Sequence, residues 1–289
     1  MGIKHSAKNL VPHNQLPDGF GNFIHLGLMG RTVADVALML GVVAGADPSD
    51  PQSMAVPRGR HGGAVREIEL RGLRIAWRPL LGNERLAADV RAACEGALAD
   101  LAQAGAAVET VEEAVENAEP TWRILQQSNW AARFEREAAE HADLMDPSLL
   151  AGIREGLAYT GRDVQRAMYR RTRLYREVQG WFGAFDLVLT PSISRGPLAA
   201  DHAALEPIEI DGAPAGDMRR AWCSYLNLFN LTGNPALSVP CGWDGDGLPV
   251  GLQIVGPWYG EDRVLGLAAA LERHRPWADR TPPHAPDRD

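Results

Sequence analysis

The chain is predicted to be an α/β protein, a mixed β-sheet flanked by α-helices, on three observations. Leu73–Arg78, a helical stretch at 86–104 and Ala106–Val111 follow one another as strand, helix, strand within about 40 residues, the spacing of a parallel βαβ unit. Asp186–Thr190 (DLVLT) is a short apolar run of the type covered on both faces of a sheet. Pro235–Pro240 (PALSVP) and Val250–Val255 (VGLQIV) are two further strand runs, and Leu248-Pro249 marks the hairpin that joins them.

The remaining elements follow in chain order. Residues 1–24 are rich in Pro, Gly and Asn and read as irregular chain. A helix begins at Thr32 or Arg31, where VADVALMLGVVAG is apolar at helical spacing, and ends at Gly45. Residues 46–66 form a Pro/Gly-rich connector, so the first part, 1–66, is helix plus connector. From 67 to 289 come the βαβ unit, a helical middle and the C-terminal strands, all in one domain. The helical middle, about 120–183, breaks at Asp146-Pro147 and at Gly161–Asp163. Its last helix sets Val164, Met168, Leu174, Val178 and Phe182 on one face, with arginines opposite, and those arginines read as a solvated face in preference to an anion site. A loop of roughly 25 residues from Ser192 to Asp217 follows. Trp222–Leu231 is a short apolar helix, and Glu261–His274 a final amphipathic one.

Composition narrows the function. A net charge of −8 argues against a nucleic-acid partner, because phosphate contacts need a basic surface. The longest apolar stretch, Thr32–Ala46, is interrupted by Asp35 and is too short and too periodic to span a bilayer, so no membrane association is expected. Cys94, Cys223 and Cys241 are odd in number and far apart, which suggests no disulfide framework and fits a reducing, cytoplasmic setting. No apolar leader is visible in MGIKHSAKNLVPHNQ. The eight histidines make no HxxxH or HxxE pattern, so no metal is expected, and nothing calls for a cofactor. Cys241, after a strand in VPCG, reads as buried packing in preference to a nucleophile.

Several segments in fixed order resemble the amidase signature family, whose members include simple amidases and the glutaminase subunit of tRNA amidotransferases. Gly2-Ile3-Lys4 resembles the family's GLKPT turn, and Gly27–Asp35 (GLMGRTVAD) its GPMARTVAD helix start. Leu70–Trp77, FDLVLTPS (Phe185–Ser192), FNLTGNPALSVPCG (Phe229–Gly242) and GLPVGLQIVGPWYGED (Gly247–Asp262) continue the likeness over essentially the whole chain. His5 and Leu28 depart from it, each standing where the family usually has proline.

The resemblance implies amide-bond hydrolysis by a Ser–cis-Ser–Lys triad, in which a lysine draws a proton through a bridging serine from the attacking serine. In the family that triad lies upstream of the GLKPT turn, on GGSSGG and GTDTGGS loops. This sequence contains neither SSGG nor TGGS; Lys4 matches the lysine of the turn, and the only other lysine is Lys8. The expectation is therefore a partial amidase-signature domain with no catalytic residue of its own, supplying about five or six strands of a larger sheet and exposing apolar edges. It would be completed by a separate N-terminal catalytic half acting on a small amide, or by self-association; the alternatives are a non-catalytic pseudoenzyme or binding protein and a decayed fragment. Candidate substrate-binding residues are Thr190 and Ser192, at the end of a buried strand where ligands bind in open α/β sheets, although both read as simply ending the strand in preference to lining a pocket. Trp222, Tyr225 and Asn230, on the apolar helix before Gly233-Asn234-Pro235, are further candidates for an aromatic pocket, although they read as core packing in preference to it.

Overall fold

In the computed structural model, residues 1–6, 10–13, 18–21, 23–53 and 65–280 are described. Among them, seven strands form one mixed sheet. They are β1 (Gly2–Lys4), β2 (Leu28–Met29), β3 (Arg74–Trp77), β4 (Ala107–Thr110), β5 (Leu187–Pro191), β8 (Ala236–Trp243) and β9 (Pro249–Val255). Their order is β2-β1-β8-β9-β5-β3-β4. The α/β expectation holds, and so does the βαβ unit: β3 and β4 are parallel, joined by α2 (Ala88–Gln103), and β5 adds a second parallel neighbour to β3. The other half is antiparallel, with β8 and β9 paired as a hairpin.

Period-2 alternation divides the sheet's side chains between two cores. Ile75, Trp77, Leu187, Leu189, Leu237 and Ile254 pack beneath α2, α1 (Val33–Val43) and α8 (Glu261–His274). Ala76, Val188, Ala236 and Val255 point the other way, toward α3 (Glu119–Glu140), α5 (Gly161–Trp181) and α7 (Ser224–Thr232). The helix starts are locally encoded. Thr32 and Asp35 make a reciprocal capping box at α1, and Thr160 and Asp163 make another at α5. Asp146 caps α4 (Pro147–Ala158) by accepting from Ser148 N and Leu149 N.

The structure corrects several readings. Residues 1–24 are not wholly irregular: Gly2–Lys4 is a strand between β2 and β8. Only Ile3 of its three residues is buried, too short an alternation to register as a pattern. The sheet has seven strands rather than five or six. The 192–217 loop contains a hairpin, β6 (Pro207–Ile210) and β7 (Ala213–Asp217), which turns on Asp211 and Gly212 at φ of +51° and +73°. Asp-Gly is itself a hairpin signal, because both central positions of such a turn need positive φ. The apolar helix read at Trp222–Leu231 is α7, which starts two residues later at Ser224; a separate helical turn, α6 (Met218–Ala221), precedes it, and Trp222 lies between the two. On α5, Met168 faces outward and Ala167 takes the buried position. Of the connector, residues 54–64 lie outside the described residues.

Helix α4 presents Gly152 and Gly156 to α3. A Cβ on Gly152 would stand 2.8 Å from the Trp130 ring, and one on Gly156 would overlap the Gln127 carbonyl. This close approach settles where α3 lies, and with it Trp122 and Gln126. Alanine would gain about 1 kcal/mol of helix propensity over glycine, but overpacking costs about 1–3 kcal/mol. Gly156→Ala is therefore expected to lower the melting temperature by several degrees, as read by circular dichroism.

Candidate active site

The register places one row of residues across four neighbouring strands: Thr190 opposite Gln253, Gln253 opposite Ser238, and Ser238 opposite Gly2. All four lie on the sheet face away from α2 and α8, where Lys4 and Ala236 flank the row. Hydrogen bonds tie the row together. Gln253 Nε2 donates to Thr190 Oγ1 at 2.9 Å and leans on Tyr225 O at 3.4 Å. Ser192 Oγ and Ser238 Oγ share a hydrogen bond of 2.6 Å. Gly251 leaves room for that pair, since a Cβ there would come within 2.8 Å of Ser192 Oγ and 3.0 Å of Ser238 Oγ.

Over this floor opens a cleft of about 500 Å³. Gly2, Lys4, Ala236, Ser238 and Gln253 form its base, α7 contributes Leu226, Asn227, Phe229 and Asn230, α3 contributes Trp122 and Gln126, and Phe23–His25 and Arg219 close the sides. The hollows beside Asn83 and beside Asp18 admit only about 20 Å³ each, space for little more than a water. The aromatic wall is pinned: Trp122 Nε1 donates to Asn230 Oδ1 at 3.1 Å, and Asn230 Nδ2 donates to Phe23 O at 3.0 Å. Arg171 donates to Leu231 O at 2.6 Å and covers the Phe23 ring at 5.7 Å; burial lowers its pKa to about 10, so it departs from the solvated-face reading.

The five substrate-binding candidates read from the sequence fall in different places. Asn230 lines the cleft. Thr190 and Ser192 sit one side chain behind it, hydrogen-bonded to the lining residues Gln253 and Ser238. Tyr225 is fully buried and donates to Pro79 O at 2.6 Å, and burial pushes its phenol up. Trp222 donates to Arg195 O at 3.2 Å and holds the strand-exit loop rather than the cleft wall. Sequence reasoning missed Gln253, Ser238, Trp122 and Arg219. The first two carried a signal, being polar residues inside apolar strand runs; the other two carried none, because they meet the cleft only through helix packing.

Chemically, the cleft offers hydroxyls, amides and cations over an apolar wall. A serine nucleophile needs a base within about 2.6–3.2 Å. Among the described residues the one lysine amine is Lys4 Nζ, and it donates to His5 O at 3.0 Å, not to a serine. Desolvation lowers the Lys4 pKa to about 7; Lys8 lies outside the described residues. Burial pushes the Cys223 thiol up, away from thiolate chemistry. Cys241 is buried on the opposite face, 3.8 Å from Cys94. No cluster of three His, Cys, Asp or Glu is present among the described residues, nor any helix long and apolar enough to cross a membrane.

The family model described as Amidase matches residues 1–265. The chain belongs to the amidase signature family. As a family member it is 31% identical to an acylamidase of Rhodococcus erythropolis, over 98% of this chain and 58% of that protein. Its fold superimposes on a bacterial aryl acylamidase with a TM-score of 0.81 at 26% identity, covering 96% of this chain and 58% of the other. It matches a 6-aminohexanoate cyclic dimer hydrolase, solved with substrate, at a TM-score of 0.79 and 25% identity, over 98% of this chain and 62% of that one. This amidase chain thus spans somewhat more than half the length of the relatives it matches.

The residue after Lys4, behind the cleft, also makes a pH prediction. His5 is 1% exposed, and desolvation holds its pKa near 4, below the free value of 6.5. Between those values the unfolded chain binds the proton and the folded chain does not, so stability falls as pH drops from 6.5 to 4. The loss is on the order of 2–3 kcal/mol. His5→Phe should make this part of the profile less steep in urea titrations taken at successive pH values, the rest of the slope being left by His25, whose ring lies 5.5 Å away and whose pKa burial also lowers. An unchanged slope would show that His5 takes up its proton in the native state.

Proposed function

We propose that this chain forms the substrate-binding part of an amide-hydrolysing enzyme, with the attacking serine and its base brought by polypeptide outside these 289 residues. Family membership supports carbon–nitrogen hydrolysis, and the coverage of 58% supports the presence of further polypeptide in the working enzyme. The observation that carries the reading is the cleft floor. Its hydroxyl pair, Ser192 and Ser238, is bonded to itself, and the Lys4 amine is bonded to a carbonyl, so the floor can hold an amide but has no base set on a nucleophile. By likeness to the acylamidases named above, the substrate is an acylated arylamine.

The added polypeptide would rest on the outer face of α1 and the β2 edge. Leu38 is 70% exposed, Val42 77% and Met29 80%, an apolar strip that a larger amidase would bury.

Mixed with the N-terminal catalytic part of an acylamidase, the chain is expected to hydrolyse 4-nitroacetanilide, whereas alone it should neither hydrolyse it nor react with a fluorophosphonate probe. Turnover by the single chain at about 10 s⁻¹, an ordinary enzyme rate, or fluorophosphonate labelling of Ser192 or Ser238, would falsify the reading. Leu38→Glu combined with Val42→Glu should abolish the restored activity and leave the circular dichroism spectrum of the chain unchanged; restored activity in that variant would remove α1 from the docking face.

A further inference from the structure

Resting on the reading of the cleft as a substrate site, we propose that it selects amides that carry a carboxylate on an aromatic body, and that Arg219 is the residue that selects them.

The first observation is the sign of the cleft. The chain has 37 acidic and 29 basic residues, yet among the described residues no carboxylate lines the cleft, and its charged groups are Lys4 and Arg219. The second is the state of Arg219. Its guanidinium lies 5.4 Å from the Trp122 ring centre and 5.2 Å from that of Trp130, two rings set edge to face at 87°. It makes no ion pair or side-chain hydrogen bond with any described residue. The surrounding carboxylates are engaged elsewhere: Arg123 holds Glu119 at 2.5 Å, Asp217 at 3.3 Å and Glu155 at 3.9 Å, and Asp146, whose carboxylate feels the Arg219 charge without pairing with it, accepts from Ser148 and Leu149 at the start of α4. The two indole faces orient a guanidinium whose N–H donors remain open, and a planar fork of that kind matches a carboxylate with two parallel hydrogen bonds.

A third observation comes from a different element. Asn227 on α7 is 6% exposed, and its Nδ2 is buried without a hydrogen-bond partner, although the residue lines the same cleft. A buried donor left open is costly unless a ligand accepts from it. Phe23, Trp122, Leu226 and Phe229 supply the apolar wall for the ring, and about 500 Å³ is the size of site that encloses a small substituted arene.

The test is equilibrium binding to the intact chain, by titration calorimetry, of 4-acetamidobenzoate and of uncharged acetanilide. Wild type should bind the anion about ten-fold more tightly, the worth of one charge-assisted hydrogen-bonded contact. Arg219→Gln should remove that preference without changing acetanilide binding, and Arg219→Lys should keep part of it. Acetanilide binding serves as the check that each variant is folded. Equal affinity for the two probes in wild type, no binding of either, or an equal loss of both in Arg219→Gln overturns the proposal. Binding is read without turnover, so the two readings fail separately. Hydrolysis of the uncharged anilide by the assembled enzyme with no anion preference sinks Arg219 alone, and an anion preference without hydrolysis sinks only the proposed reaction.

Discussion

The register of four neighbouring strands governs both the core and the cleft of this molecule. Leu189, Ile254, Leu237 and Ile3 stand opposite one another across β5, β9, β8 and β1, and the next positions along those strands are Thr190, Gln253, Ser238 and Gly2. Because successive side chains point to opposite faces, the first row must enter the core beneath α2 and α8, and the second must face the cleft. A slip of one residue in β9 would bury Gln253 against leucines and put Ile254 in the cleft, and one in β8 would do the same with Ser238 and Leu237. The apolar row holds the register strongly, and a polar floor is carried with it.

A polar row on a buried sheet survives only if its members satisfy one another. Here they do so with little outside help: Gln253 bonds Thr190 and leans on the Tyr225 carbonyl, while Ser192 and Ser238 bond each other. Tyr225 is in turn fixed by its hydroxyl on the Pro79 carbonyl, which ties α7 to the exit of β3. The same device holds the wall, where Trp122, Asn230 and the Phe23 carbonyl form a chain of hydrogen bonds from α3 through α7 to the segment after β1. Floor and wall are therefore two rigid polar networks set at an angle, with an apolar gap between them. Such an arrangement orients a ligand with little reorganisation on binding.

Amidase membership and partial coverage of the relatives give this arrangement a consistent setting. The parallel strands β3 and β5 are buried on both faces between the two helix layers, as parallel strands require, while the edge strand β4 stays largely exposed. The other end, at β2 and α1, is different: the last strand has two residues, and the helix beside it turns leucine and valine outward. A helix with an apolar stripe on each side reads in sequence simply as strongly apolar, which is why the stretch after Thr32 is legible as a helix but its second face is not.

Features that depend on near neighbours are written in the chain itself. Strand and helix periods, the capping boxes at Thr32 and Thr160, the βαβ unit and the final helix at Glu261–His274 are set within a few residues and are readable at nearly their observed bounds. Motifs in fixed order are enough to point to the amidase family. The strand at Gly2–Lys4 is not readable, because three residues hold too little pattern, and its existence depends on β8, more than two hundred residues away. Three-dimensional packing alone makes Gln253 and Ser238 the floor of a cleft, sets Trp222 and Tyr225 as anchors away from its wall, and lays Arg219 over two tryptophans from α3. Those outcomes follow from which elements meet, and a linear pattern does not carry that information across such separations.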